Sequence, residues 1–244
     1  MGLGEHFAHQ LASRGVDVIL TARSMDLLEK VASELREAGR TAWAFPCDLS
    51  LPDAPLQISR FLQENGLEPQ WLINNAGFGD ALPFKELSPE RARAICDVNM
   101  SSLTELTARM LPILKKFPGR ARIINVSSVA GFQPVPWFGV YSASKAYVLS
   151  FSEALYEELR NEGVRVTCLC PGYTATNFAK NNGLNKKFFT GAQSAEEVVR
   201  AALRGSDSGR AVVVTRNRLQ IFGLRLMPRR VVRRVAGMVA KTYR

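Results

Sequence analysis

Cysteine and histidine are scarce: the 244 residues include four cysteines (Cys47, Cys96, Cys168, Cys170) and two histidines (His6, His9). The cysteines lack paired zinc-ligand spacing and are too few for a disulfide scaffold, so a reduced, cytoplasmic chain is expected. His6 and His9 fall in the first helical pattern without a cluster of further ligands, and no metal site is read from them. No run of about 18 apolar residues occurs, which excludes a membrane-spanning helix of that kind. Met1 leads straight into a polar helical pattern, so no signal peptide is expected. Acidic residues are absent from 216–244, where nine Arg and Lys stand. Residues 1–215 carry 23 basic and 22 acidic side chains, so all but one of the ten net positive charges belong to the tail. With 46% hydrophobic residues the chain is not disordered, and its length suits one α/β domain.

What is present alternates. Val16–Ala22 reads as a strand and Met25–Ala38 as a helix, with Leu27, Leu28, Val31 and Leu35 at helical spacing and Gly39 at the C-terminal cap. Further strands are expected at Thr41–Cys47, Trp71–Asn74, Arg122–Val126, Val164–Cys170 and Ala211–Val214. Helices are expected at about Pro52–Asn65, Ser88–Lys116, Ser142–Glu162 and Ser194–Arg204. Such alternation implies right-handed βαβ crossovers and a doubly wound parallel sheet covered on both faces. The boundaries are 1–215 for the α/β domain and 216–244 for a C-terminal extension. No repeat or low-complexity linker interrupts them.

Several segments carry chemistry. Asn74-Asn75-Ala76-Gly77 ends a strand, and Asn99 lies in Asp97-Val-Asn-Met100. Ser128 precedes Tyr141 by 13 residues, and Tyr141 precedes Lys145 by four. Pro171-Gly172-Tyr-Thr174-Ala-Thr176 follows the next strand. In this order and spacing they resemble the short-chain dehydrogenase/reductase family over roughly residues 2–215. The resemblance implies a Rossmann sheet of seven parallel strands with the site at their carboxyl ends. It implies Asn99, Ser128, Tyr141 and Lys145 as the catalytic set. Tyr141 and Lys145, four apart on one helix, share a face, and a neighbouring ammonium is expected to lower the phenol's pKa. Tyr141 then exchanges a proton with a carbonyl oxygen that Ser128 also holds. Ser127 is the alternative serine, which the spacing disfavours. The resemblance gives Lys145 a contact to the nicotinamide ribose and Asn99 a proton-relaying water.

Cofactor choice is read after the Val16–Ala22 strand, where NAD-selective sites place an acid. Here Arg23 and Ser24 follow, and a guanidinium suits the 2′-phosphate of NADP(H), which is preferred over NAD(H). The resemblance adds Asp48 and Leu49 at the adenine, Asn75, Ala76 and Gly77 along the cofactor, and Pro171, Gly172, Thr174 and Thr176 at the nicotinamide end. Gly2, Leu3 and Gly4 match only the last positions of the family's glycine-rich nucleotide loop. The strand before that loop has no counterpart, and two buried strand edges are expected without it. A misplaced start, a fragment and a truncated paralogue remain alternatives.

Phe78, Phe84, Phe132, Val135, Pro136, Trp137, Phe138, Tyr173 and Phe178 suggest an apolar mouth for a hydrophobic ketone, aldehyde or secondary alcohol. A substrate lid is expected over 175–190, with Leu184, Phe188 and Phe189. Val231, Val232, Val235, Met238 and Val239 recur at helical spacing opposite Arg230, Arg233, Arg234 and Lys241. Such a basic amphipathic helix fits an anionic membrane surface, or docks on its own body or a second subunit. No nucleic-acid partner is expected, because the basic residues lack interleaved aromatics. The resemblance also implies a homodimer or homotetramer. The alternatives to an enzyme are an inactive scaffold of the same fold and a peripheral membrane protein acting through its tail.

Overall fold

Apolar runs bounded by turn residues become strands, and the amphipathic stretches between them become helices. The computed structural model describes residues 2–178, 191–216, 221, 223 and 227–242. In chain order the elements are α1 (Leu3–Ala12), β1 (Val18–Ala22), α2 (Met25–Glu37), β2 (Ala42–Pro46), α3 (Ala54–Glu64), β3 (Trp71–Asn74), α4 (Pro89–Cys96), α5 (Ser102–Leu114), β4 (Arg122–Val126), α6 (Gly139–Glu158), β5 (Arg165–Cys170), β6 (Thr174–Ala175), β7 (Gln193–Ser194), α7 (Ala195–Asp207), β8 (Val212–Val214) and α8 (Arg229–Thr242). Helix α2 ends as its sequence requires, with Gly39 at φ +79° in the left-handed region.

Every strand pairing is parallel. The expected single sheet of seven strands is corrected: among the described residues β1 pairs with β2, and β3-β4-β5-β8 form a second group. The facing edges of β1 and β3 are not the buried edges expected. Residues 18–21 and 71–73 are only half-buried, whereas every residue of β4 is buried. Helices on both faces hold the groups together. On one face α1 sends Phe7 and Leu11 against Ile124, Val126 and Leu169, and Ala8 and Ala12 against Ala32, Leu35 and Ala42. On the other, Ile58, Leu62, Leu106 and Met110 pack with Ile123 and Val166, and Ile19 and Phe45 join them. The result is a three-layer, Rossmann-like α/β fold.

A buried polar chain ties the site-bearing strands to the helices. Asn74 and Asn125 are register partners, and the Asn74 amide donates to Asn125 Oδ1 at 2.8 Å and Thr107 Oγ1 at 3.0 Å. The Asn125 amide then donates to Ser152 Oγ at 3.0 Å, so α5, β3, β4 and α6 share one network. Its interior position makes each unmade bond costly.

Two element boundaries differ from the periodicity. The single helix expected over Ser88–Lys116 is divided by a π-turn at Asp97–Ser101, and α6 starts three residues before Ser142. Both departures fall at the site below. Asn125→Ala strands Asn74 and Ser152 inside the sheet, and a loss of about 2–3 kcal/mol is expected, read as a lower urea midpoint at unchanged m-value.

Candidate active site

Helix α6 begins where it does because the preceding turn cannot continue. Trp137 sits at φ +61°, a conformation that bulky residues rarely adopt, and Phe138 caps α6 with extended φ. The helix therefore opens at Gly139 and places Tyr141 in its first turn. The Tyr141 ring stacks on Phe138 with centroids 4.3 Å apart and meets Phe178 at 5.4 Å. Only 7% of Tyr141 is exposed. Ser128, two residues beyond β4, is near enough to the phenol to favour its ionised form, and its Oγ accepts from Ala130 N–H at 3.1 Å. Ser127 faces away and donates to the Lys145 carbonyl at 2.6 Å.

One helical turn after Tyr141, Lys145 is buried and its Nζ donates to the Val126 carbonyl at 2.8 Å. The ammonium stands 5.6 Å from the Tyr141 ring centroid. Asn99 lies in the π-turn, a distortion frequent at functional sites. Its Nδ2 donates to Phe78 O and Ser144 Oγ at 2.9 Å each, and its Oδ1 accepts from Phe78 N at 3.1 Å. The Phe78 segment passes close enough to demand glycine on each side. A Cβ on Gly77 would lie 3.0 Å from Lys145 Nζ, and one on Gly79 2.6 Å from the Tyr141 ring.

Burial dominates both titrations. It pushes the Tyr141 phenol up to about 12, opposed by the nearby Ser128 hydroxyl. The lowering of Tyr141 expected from Lys145 is thereby corrected: burial raises the phenol instead, and it keeps its proton at neutral pH. Burial also brings Lys145 down to about 8, with the nearby Cys168 and Cys170 acting in the opposite direction.

From Tyr141 a cleft runs along the carboxyl ends of the strands and continues down the gap between β1 and β3 as far as Asp17 and Gln70, about 1860 Å³ in all. Gly2, Leu3, Gly4, Arg23, Asp48, Leu49, Asn75, Ala76, Gly77, Ser128, Lys145, Pro171, Gly172, Thr174 and Thr176 all line it. Ser24 and Asn99 do not. Ser24 precedes α2 as its N-terminal cap residue, and Asn99 lies behind Phe78, 1% exposed. Ser50 N–H and Oγ, at 3.0 and 2.8 Å, hold Asp48 below the usual carboxylate range, with the Arg23 charge adding to the effect. Arg23 is exposed where β1 ends. Gly2 leads α1 without a side-chain cap, so the first amides of that helix face the cleft wall unmasked. Thr21 Oγ1, also in the cleft, is buried without a hydrogen-bond partner.

This geometry has relatives. The model of the short chain dehydrogenase family matches residues 1–187. The chain belongs to the short-chain dehydrogenase family. An uncharacterized oxidoreductase of Myxococcus xanthus is 33% identical over 81% of this chain and 78% of its own length. The very-long-chain 3-oxoacyl-CoA reductase of Rattus norvegicus is 33% identical over 83% of this chain, which spans 64% of that enzyme. A short-chain dehydrogenase from Sphingobium yanoikuyae, solved with NADPH, is 30% identical and superposes with a TM-score of 0.82, covering 92% of this chain and 88% of that one.

Within this short-chain dehydrogenase, some apolar residues lie elsewhere than expected. Phe84 is 74% exposed on a surface turn, and Phe132 packs against Leu149, Cys168 and Cys170. Phe78, Val135, Pro136, Trp137, Phe138, Tyr173 and Phe178 do line the cleft. The lid residues Leu184, Phe188 and Phe189 lie outside the described residues. Sequence reasoning missed Ser144 and Gly79: a lone helical serine and a loop glycine carry no periodic signal. Glu5, His9 and Glu34 bring potential ligand atoms within 4.8 Å of one another, half-buried at the surface. His9 Nε2 is 3.3 Å from Glu34 there, as in an ordinary surface pair.

Lys145 binds a proton more weakly folded than unfolded, so its burial costs stability below pH 8 and the cost fades toward pH 10.5. Urea titrations are expected to show wild type gaining about 3 kcal/mol on Lys145→Met between pH 7 and 10.5. A pH-independent difference contradicts a buried ammonium.

Proposed function

We propose that this chain is an NADP(H)-dependent carbonyl reductase for a hydrophobic ketone or aldehyde, interconverting it with the secondary or primary alcohol. The observation that carries the reading is the convergence of Ser128, a protonated Tyr141 and buried Lys145 at one end of the cleft. The residues along the cleft suit the dinucleotide. Arg23 would hold the 2′-phosphate, and the unmasked amides at the start of α1 the pyrophosphate. Asp48 and Leu49 would flank the adenine, and Asn75, Ala76, Gly77, Lys145, Pro171, Gly172, Thr174 and Thr176 the remainder. When bound, NADPH supplies the hydride.

Tyr141 gives its phenolic proton to the carbonyl oxygen as negative charge develops there. A phenol with pKa near 12 remains a weaker base than the alkoxide it protonates, so transfer runs downhill. Ser128 donates to the same oxygen and fixes its position against Tyr141. Lys145 supplies a fixed positive charge on the Tyr141 side of the cleft. Asn99, bonded to Phe78 and Ser144, positions the segment lining the site.

The apolar lining from Phe78 to Phe178 excludes water and favours a long or bulky aliphatic carbonyl. The relation to a very-long-chain 3-oxoacyl-CoA reductase supports that substrate class. Residues 1–215 form the reductase domain and 216–244 its extension. Assembly into homodimers or homotetramers and a cytoplasmic location with peripheral membrane contact complete the reading. Tyr141→Phe is expected to lower NADPH-driven reduction of a medium-chain ketone by about 10³-fold or more, with NADPH affinity within a few-fold of wild type. Unchanged turnover in that variant returns the chain to the scaffold alternative.

A further inference from the structure

Helix α8 presents three sectors. Val232 and Ala236 are buried, at 5% and 7% exposure, and Gly237 rests against Pro136 and Trp137. Val231, Val235 and Met238, at 44%, 40% and 63% exposure, form a second stripe at spacing i, i+4, i+7. Arg229, Arg230, Arg233 and Arg234 fill the third sector, all exposed. The apolar stripe thus lies between the packed side and the cations, and Met227, 39% exposed, extends it. Val235 and Ala236 also line the active-site cleft beside Pro136 and Trp137. The exposed stripe therefore borders the cleft through Val235.

We propose that α8 lies on an anionic lipid bilayer, with Val231, Val235 and Met238 among the headgroups. This opens the cleft mouth to the membrane, so that a hydrophobic carbonyl compound enters from the lipid phase. Charge selects this occupant. No acid stands between residues 216 and 244, and 23 basic against 22 acidic side chains leave the body near neutral. A second copy would bring its own arginines against these, whereas lipid phosphates neutralise them and the acyl boundary accepts the apolar stripe. The bilayer contact stands independently of the proposed reaction, while substrate access from lipid rests on the carbonyl-reductase reading.

The test has two arms, each with wild type and a Val231→Glu/Met238→Glu double variant. Both positions are exposed and outside the cleft. In the first arm, the full chain is sedimented with vesicles of phosphatidylcholine alone, or containing about one-quarter phosphatidylglycerol. Wild type is expected to bind the anionic vesicles at least about tenfold more tightly, with affinity falling as salt rises. The double variant is expected to lose that binding, and Arg230→Gln/Arg234→Gln to weaken it on the order of 30-fold. Equal binding by wild type and the Glu variant, or no binding by a folded sample, overturns the proposal. So does retention on a nucleic acid oligonucleotide in place of vesicles, or a dimer that the Glu variant dissolves.

In the second arm, reduction of a short water-soluble ketone is compared with that of a long-chain ketone loaded in anionic vesicles. The Glu variant is expected to match wild type on the soluble ketone and to lose about tenfold in kcat/KM on the loaded one. Equal loss on both, or on neither, overturns access from lipid. Vesicle binding without activity on either ketone overturns access together with the reductase reading, and leaves the bilayer contact standing.

Discussion

The buried lysine of helix α6 organises the candidate site. Lys145 is held on the Val126 carbonyl at 2.8 Å, inside a region where an ammonium without partners is costly. That bond joins the second turn of α6 to the end of β4. Because Tyr141 is one turn earlier on the same helix, fixing Lys145 fixes the phenol over the cleft. Ser127 reinforces the junction from the strand side by donating to the Lys145 carbonyl. Gly77 and Gly131 let backbone approach this region; a Cβ on Gly131 would lie 2.7 Å from the Lys145 carbonyl oxygen. The proposed catalytic arrangement thus depends on the packing of one buried lysine.

The same economy extends outward. The Asn74–Asn125–Ser152 chain locks β3 and β4 to α6, and the Asn99–Ser144 bond locks the π-turn to that helix. Strands β1 and β2 form the more open part, attached through α1 on one face and through Ile19 and Phe45 on the other. The residues proposed for the cofactor divide along this line. Arg23 and Asp48 sit on the β1–β2 side, whereas Gly77, Tyr141 and Lys145 sit on the rigid side. A dinucleotide bound along the cleft would bridge the two strand groups.

Strands were the most legible elements in the sequence. Trp71–Asn74 and Arg122–Val126 match their expected limits, because apolar runs between polar turns leave little freedom in register. Helix limits failed where local strain overrides periodicity. The π-turn at Asp97–Ser101 keeps the helical spacing of its neighbours, so Ser88–Lys116 read as continuous. The start of α6 is set by the unusual backbone of Trp137, which no propensity anticipates. The nearness of Ser128, Tyr141 and Lys145 in space was legible from motif spacing. The direction of the Tyr141 shift was not, because spacing reports the neighbouring charge and is silent on desolvation. The locations of Phe84 and Phe132 were illegible for a related reason, since apolar character does not say which cavity a side chain fills.

In the proposed complex NADPH lies along the cleft with Arg23 at one end and Tyr141 and Lys145 at the other. Calorimetric titration of wild type and Arg23→Leu with NADPH and with NADH tests it most directly. The expected result is NADPH binding at least about tenfold tighter than NADH in wild type, with the preference removed in the variant and NADH affinity unchanged. Equal affinity for both dinucleotides in wild type contradicts the role of Arg23, and no binding of either by a folded sample contradicts the account as a whole.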